Sequence, residues 1–392
     1  MNKLLDNKWV RAAIPALFIH ACIGSVYCWS LLKGEMATMM SCDVSSIELA
    51  FSLAIFFLGM SAAFGGRFVE KNVTKASSLS CLFFFSGLLL SALSVSIGCV
   101  PLLMLSYGCI MGIGLGLGYL SPVKTLMLWF SEHKGLATGI AISGFGLSKV
   151  IFSPYIEWCN ATYGVINTLM SMAFISSVFM VTASYLIKKP IGWKEDVPPF
   201  NIKDYIGIIK SPTYLKIWFI FYLNITCGLA LIAFEKGIGM EIGYGNIAFL
   251  ASLTAFFNTL GRFGYSTISD SFKRKEIIYM VIFATSVLSV MLGIIDFSIL
   301  PIMVMLCTVN AGYGGGFSTL PTLLQSKFGM EKISTIHGLA LSAWAWAGLS
   351  GNQLSNLIIN TMGCEYNILF TVLACLYLVS LVVTLSIKQG KA

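Results

Sequence analysis

The chain has 392 residues, of which 57% are hydrophobic and only 11% are charged. An ordinary soluble domain carries about a quarter charged residues, so this composition excludes a soluble enzyme. Lys and Arg exceed Asp and Glu by 25 to 17, which gives a net charge of +8 at pH 7. The 11 cysteines are scattered through apolar runs without paired metal-ligand spacing, and we expect them to be small core residues.

Twelve apolar segments are each long enough to cross a bilayer. A spanning helix needs about 20 mostly apolar residues, because no backbone polar group can stay unpaired in hydrocarbon. The first run lacks the small-residue cleavage pattern of a signal peptide, so we expect it to remain as a helix. The predicted spans are 10–31, 46–65, 76–97, 101–130, 134–156, 165–187, 214–234, 246–267, 276–296, 299–325, 333–359 and 366–387.

The positions of the cations indicate which side of the membrane each loop faces. With a cytoplasmic N-terminus, the inner loops and tails hold 20 Lys and Arg residues, and the outer loops hold two, Lys33 and Lys236. Cytoplasmic loops carry the excess of Lys and Arg, so this split predicts a multi-pass protein of the plasma (inner) membrane with both termini cytoplasmic. This distribution of Lys and Arg also accounts for the net positive charge of the chain, so we expect no nucleic-acid partner.

The longest polar stretch, 188–213, divides the twelve spans six and six. We therefore predict an N-terminal half at 1–187, a central cytoplasmic loop at 188–213 and a C-terminal half at 214–392. The alternating glycines before Pro122 match those before Pro321, at an offset of about 200 residues. Two six-helix halves with the same in-out sense are typical of a secondary transporter whose site lies between them near the bilayer midplane.

Several motifs resemble those of a known transporter family. Gly66-x-x-x-Glu70-Lys71-x-x-x-Lys75 resembles the loop after the second helix in the major facilitator superfamily, with Glu for the usual Asp. The more specific motifs are Gly24-x-x-Tyr27-x-Trp29-Ser30, Gly118-Tyr119-Leu120-Ser121-Pro122, Gly261-Arg262, Gly312-Tyr313-Gly314-Gly315-Gly316-Phe317 and Ser342-Ala343-Trp344. Together they are similar to the oxalate/formate antiporter family, which is related to monocarboxylate porters. The resemblance implies an all-α integral membrane protein with twelve transmembrane helices in two pseudo-symmetric halves, working by alternating access.

Away from the ends of the predicted spans, three cations lie inside them, Lys124, Lys149 and Arg262, whereas all 17 acids fall in loops or near helix ends. Charges inside a membrane are costly and mark functional sites, and cations without carboxylates indicate an anionic substrate. Arg262 lies eight residues before Asp270, roughly 12 Å from the inner boundary. Its planar fork of donors matches a carboxylate. We predict Arg262 as the principal anion ligand, which the resemblance also implies; a scaffold contact is the alternative.

The two buried lysines leave alternatives open. Lys124 lies about as deep as Arg262, and it either completes a two-cation clamp or extends to the inner surface. Lys149 either serves the outer part of the substrate path or lies outside it. The resemblance implies a second binding lysine in the eleventh helix, where this chain has Trp344, and we include Trp344 among the predicted substrate-binding residues. We therefore favour a monocarboxylate such as formate, lactate or pyruvate over a dianion.

Aromatic residues and one histidine complete the predicted site. Tyr27, Tyr119, Tyr313 and Phe317 fall in segments that line the pocket in the resembling family, and they are predicted to enclose a small acid. Core or lipid packing is the alternative for each. His20, seven residues before Tyr27 on one helix face, is either a proton-coupling residue or a packed, hydrogen-bonded histidine. Without a carboxylate relay, the sequence favours exchange over proton symport.

The predicted function is secondary active transport of a small carboxylate anion. An oxalate/formate-type dicarboxylate exchanger is the first alternative, and a membrane anion sensor with a transporter fold is the second. The short predicted tails argue against a sensor, and the spans lack the acid–base or metal constellation of an enzyme. We expect no cofactor and no metal, a small carboxylate and the lipid bilayer as partners, and a monomer.

Overall fold

A computed structural model describes residues 7–190, 192–193 and 202–387 of the chain. Within this part of the chain every regular element is a helix. Residues 191 and 194–201 of the predicted central loop lie outside the described residues. The same holds for four of the predicted inner cations, Lys3, Lys194, Lys388 and Lys391.

Each of the twelve predicted spans is confirmed as a helix. The helices are α1 (Trp9–Leu31), α2 (Val44–Lys71), α3 (Val73–Ser96), α4 (Val100–Trp129), α5 (134–163), α6 (165–186), α7 (Pro212–Glu241), α8 (Ile247–Ser269), α9 (Glu276–Ile295), α10 (Ile299–Phe328), α11 (Ile333–Asn356) and α12 (Tyr366–Leu385). Two short helices, Lys33–Met39 and Ile202–Lys210, precede α2 and α7.

Nine helical stretches of the described residues are long and apolar enough to cross a membrane. One of them, Lys134–Leu186, contains both α5 and α6, which meet at Gly164 with φ +77°. A positive φ strongly favours glycine, so the chain can leave the helical path there. The helices α8 and α11 coincide with predicted spans but are outside the nine. Polar side chains such as Asn258 and Arg262 on α8, and His337 on α11, lower their hydropathy.

Side-chain caps and a proline define several helix starts. Asn72 Oδ1 accepts a hydrogen bond from the backbone N–H of Lys75 at 2.9 Å and begins α3. Asn246 Oδ1 accepts from the N–H of Phe249 at 3.0 Å and begins α8. These bonds satisfy N–H groups that have no partner inside the helix. Pro212 begins α7, a position where its missing N–H removes no helical bond.

Contacts among the described residues group the chain into two compact units. The first contains Met1–Val197 together with Glu331–Ala345, and the second contains Pro198–Met330 together with Trp346–Ala392. The first unit therefore holds α1 to α6 and the first part of α11. The second holds α7 to α10, the rest of α11 and α12. The predicted division at 187 and 214 stays a prediction.

Candidate anion site

Arg262 of α8 is buried in the second unit, with a relative exposure of 1%. Its Nε donates a hydrogen bond to Asn258 Oδ1 at 2.8 Å. Residues four apart lie on one face of a helix, so α8 itself brings the two side chains together. The guanidinium lies over the ring of Phe317, with Cζ 5.2 Å from the ring centroid, a distance at which a cation is attracted to the ring. Asn258 and Phe317 together orient the guanidinium plane.

Helix α10 packs closely against the part of α8 that carries Arg262. A Cβ at Gly314 would lie 2.1 Å from the carbonyl oxygen of Asn258 and 3.0 Å from Cγ of Arg262, so only glycine permits this approach. Tyr313 and Phe317, on either side of Gly314, have ring centroids 5.1 Å apart, and both side chains are buried. The structure thus brings three predicted site residues together in the second unit.

A second group of predicted residues meets in the first unit. We call it the aromatic cluster, and its members are His20 and Tyr27 of α1, Tyr119 of α4, Phe145 of α5, and His337 and Trp344 of α11. Four of these six were predicted from the sequence as site residues. Phe145 and His337 were not.

Tyr119 lies at the centre of the aromatic cluster and has a relative exposure of 0%. Its ring centroid is 5.2 Å from that of His20, 5.6 Å from that of Trp344 and 6.0 Å from that of His337. Trp344 is 1% exposed, and it lies where the resemblance implies a lysine. An indole packed against rings therefore occupies the position of the expected second cation.

Phe145 connects the two ends of the aromatic cluster. Its ring centroid is 5.3 Å from that of Tyr27, 5.9 Å from that of Tyr119 and 5.9 Å from that of Trp344. A phenylalanine in an apolar helix carries no chemical signal, so the sequence did not point to it. His337 did have a signal, since it precedes Trp344 by seven residues on one helix face, the spacing that also relates His20 to Tyr27.

His20 is buried and contacts the backbone of α4. Its Nε2 lies 3.2 Å from the carbonyl oxygen of Tyr119. A carbonyl oxygen only accepts hydrogen bonds, so we assign the proton to Nε2 and make His20 the donor. This is the hydrogen bond that the packed alternative for His20 predicts. It does not remove the proton-coupling alternative, since the ring keeps a second nitrogen.

The two lysines predicted inside the spans differ in their burial. Lys124 of α4 is 2% exposed, five residues beyond Tyr119. Lys149 of α5 is half-buried, one turn beyond Phe145. It lies close enough to Cys28 of α1 for an electrostatic interaction. The roles of both lysines stay predictions.

Metal-ligating side chains do not cluster in the part of the chain that the structure describes. There, no group of three or more His, Cys, Asp or Glu residues has an arrangement that could hold a metal ion. The two clusters described above contain instead a guanidinium, imidazoles, phenols and apolar rings. Of these groups, the guanidinium is the one whose paired donors match the geometry of a carboxylate.

Comparisons with known proteins agree with the resemblance. The family model of the Major Facilitator Superfamily matches residues 14–352. The oxalate:formate antiporter of Oxalobacter formigenes is 24% identical over 377 residues, covering 94% of this chain and 89% of the relative. Monocarboxylate transporter 13 of Bos taurus is 24% identical over 299 residues, covering 71% of this chain and 65% of the relative.

A solved structure shares the fold. A bacterial homologue of the iron transporter ferroportin, crystallised in an outward-facing state, superposes with a TM-score of 0.74 and 14% identity. The match covers 96% of this chain and 99% of the other. An identity this low shows the fold alone, and this match agrees with the all-α membrane fold that the motifs imply.

Proposed function

Because the chain belongs to the Major Facilitator Superfamily, we propose that it is a secondary transporter of small carboxylate anions. Its family makes it a multi-pass membrane transporter with a small-molecule substrate, and not an enzyme. The chemical class of the substrate is the new element of the proposal.

The observation that supports a carboxylate is the oriented guanidinium of Arg262. Bidentate binding of a carboxylate is geometrically specific, and the contacts with Asn258 and Phe317 fix the orientation of the guanidinium. A buried charge in an apolar helix destabilises the fold, so its presence supports a functional role. Two relatives fit this class by name, since one is an oxalate:formate antiporter and the other a monocarboxylate transporter.

A monocarboxylate is the favoured substrate because the expected second cation is replaced by Trp344. That indole packs against Tyr119 and Phe145 and offers no positive charge to a second carboxylate. Formate, lactate and pyruvate are therefore the acids that we propose first. A dicarboxylate exchanger is the alternative, and it requires Lys124 or Lys149 to supply the missing cation.

The test is uptake of radiolabelled formate, lactate, pyruvate and oxalate into proteoliposomes loaded with the same unlabelled acid. We expect the wild type to take up at least one monocarboxylate. Arg262→Lys keeps the positive charge but loses the paired donors of the planar guanidinium, so uptake should fall at least about tenfold. Arg274→Lys is the matched control, because Arg274 is partly exposed and pairs with Glu276 at 3.2 Å; its uptake should equal that of the wild type.

Two outcomes would contradict the proposal. If Arg262→Lys takes up the acids at the wild-type rate, Arg262 is not part of the binding site. Thermal stabilisation of the purified protein by one of the acids, without uptake of any of them, would identify an anion sensor instead of a transporter. Equal amounts of folded Arg262→Lys and Arg274→Lys protein, checked by size-exclusion chromatography, make the comparison valid.

A further inference from the structure

Two histidines from different helices share one tyrosine ring in the first unit. His20 of α1 and His337 of α11 lie 5.2 and 6.0 Å from Tyr119, measured between ring centroids. Their relative exposures are 0% and 1%. The two imidazoles are also close enough to interact electrostatically with each other. Two titratable groups are thus enclosed together among apolar rings.

His337 has an unsatisfied polar atom. Its Nε2 is buried and has no hydrogen-bond partner among the described residues. Leaving a buried polar atom unpaired destabilises a fold, so such atoms call for an explanation. An apolar side chain would fill this space without that cost. A nitrogen that binds a proton during part of the transport cycle explains its presence.

His20 has a nitrogen suited to the same purpose. Its Nε2–H donates to the carbonyl oxygen of Tyr119, so the neutral ring has its basic nitrogen at Nδ1. Protonation at Nδ1 therefore leaves the existing hydrogen bond intact. Imidazole is the side chain whose ordinary titration falls at physiological pH. Each member of the pair can accept a proton without the loss of a hydrogen bond that the structure shows.

Other ionisable groups on the surrounding helices set the charge of this region. Besides the two histidines, the helices of the first unit carry among their ionisable side chains Tyr27 on α1, Arg67 and Glu70 on α2, Tyr119 and Lys124 on α4, and Lys149 on α5. Glu70 accepts hydrogen bonds from Thr335, two residues before His337. A second positive charge on the pair would repel the first in apolar surroundings.

We propose that His20 and His337 form a proton-binding pair around Tyr119 that holds one proton at a time. The coupling of this proton to transport rests on the proposed function. A proton that binds from the outer solution and leaves to the cytoplasm with a monocarboxylate makes the transfer electroneutral. The chain would then work as a proton–carboxylate symporter, in addition to the exchange that the sequence favours.

The first test does not depend on any substrate. The chain has three histidines, so protein labelled with ¹⁵N-histidine gives one set of imidazole signals for each of His20, His133 and His337. We expect the titration curve of His20 to change in His337→Gln and that of His337 to change in His20→Gln. His133 is exposed, and His133→Gln should leave both curves as in the wild type. His337→Asn is the second variant if His337→Gln does not fold.

Two results of this titration would overturn the pair. One is a titration curve for each histidine that does not depend on the other. The second is an absence of titration for both imidazoles between about pH 4 and 9, a range centred on the ordinary behaviour of histidine.

The second test measures coupling in proteoliposomes as a ratio of two uptake rates. Each variant is assayed with an inward proton gradient, about pH 6 outside and 7.5 inside, and with equal pH on both sides. We expect the gradient to accelerate uptake severalfold in the wild type and His133→Gln. The ratio should fall to about one in His20→Gln and His337→Gln, because each of these variants has lost one imidazole of the proton-binding pair.

The results separate the two proposals. The pair would be overturned if the proton gradient still accelerated uptake in both His20→Gln and His337→Gln. It would also be overturned if the wild type took up the acid at the same rate with and without the gradient. Failure of the wild type to move any of the acids would contradict the proposed function instead, and the titration would then decide the pair by itself.

Discussion

Glu70 and Thr335, 265 residues apart in sequence, are joined by two hydrogen bonds. Oε1 of Glu70 accepts the backbone N–H of Thr335 at 3.0 Å, and Oε2 accepts its hydroxyl at 3.0 Å. Glu70 is in the last turn of α2 and is 2% exposed, whereas Thr335 is in the first turn of α11. The first N–H groups of a helix lack internal partners and attract negative charge. Glu70 therefore caps α11.

Removing this cap should destabilise the protein. Glu70→Ala loses both bonds, and each hydrogen bond to a charged group contributes about 1.5–3 kcal/mol. Thr335→Val keeps the backbone bond and should have a smaller effect. Glu132 is exposed, so Glu132→Ala is the matched control. We expect the melting temperature in detergent, followed by intrinsic fluorescence, to fall most in Glu70→Ala and to stay unchanged in Glu132→Ala.

If the melting temperature of Glu70→Ala equals that of the wild type, the two hydrogen bonds make no net contribution to stability. Equal losses in Glu70→Ala and Thr335→Val would show that the hydroxyl bond carries the whole effect.

The helices were predictable because each span is a continuous apolar run, a signal that is local in sequence. The ends of the helices were less predictable. The prediction for α7 stops at 234, where the apolar run ends, but the helix continues to Glu241. Hydrogen bonding of the backbone does not stop at the last apolar side chain. For the same reason Glu235 lies inside a helix, where its Oε1 accepts the hydroxyl of Thr254 at 2.6 Å.

The site residues divide in the same way. Arg262 was predictable from its charge inside an apolar run, and its contact with Asn258 follows from helical spacing. The position of His337 beside Tyr119 was not, because residues more than 200 positions apart meet only through tertiary packing. Glu70 was recognised in a loop motif, but its partner was not, for the same reason.

A negative charge at position 258 should block anion binding in a pH-dependent way. Asn258→Asp places an ionised carboxylate beside the guanidinium of Arg262, and this internal ion pair competes with the substrate. Uptake at pH 7 should fall at least about tenfold. As the pH falls below the pKa of the introduced carboxyl, its charge is lost and uptake should recover relative to the wild type.

Asn258→Leu is the neutral control for this experiment. It removes the acceptor of the Arg262 Nε–H without adding charge, so uptake should be lower than in the wild type at every pH and should not recover on acidification. Uptake by Asn258→Asp at the wild-type rate at pH 7 would contradict the role of Arg262 as anion ligand.

Lysine labelling tests the proposed orientation of the chain. Lys236, predicted in an outer loop, lies within α7, which continues past its apolar part to Glu241, and Lys273 lies between α8 and α9; both lysines are exposed. If the termini are cytoplasmic, as the distribution of cations predicts, an impermeant amine reagent on intact cells should modify Lys236 and spare Lys273. Both should react after lysis, as measured by peptide mass spectrometry. If Lys273 alone is modified in intact cells, the orientation of the chain is the opposite of the predicted one.

Substrate selectivity should depend on the indole of Trp344. A dianion that meets Arg262 as its one cation leaves a second carboxylate desolvated without a partner, which costs several kcal/mol, whereas a monocarboxylate does not. We therefore expect formate, lactate or pyruvate to compete for uptake better than oxalate. Trp344→Lys should shift the preference toward oxalate, by about tenfold or more in the ratio of half-inhibitory concentrations. Trp344→Phe is the matched control, because it keeps an aromatic ring against Tyr119.

The two native lysines decide the interpretation of this result. If Lys124 and Lys149 lie outside the site, Lys124→Met and Lys149→Met should keep the selectivity of the wild type. Tight oxalate binding by the wild type that is lost in one of these two variants would overturn the monocarboxylate assignment. Lys124 is 2% exposed, and a methionine of similar length fills its space, so that loss would reflect the missing charge and identify the second cation.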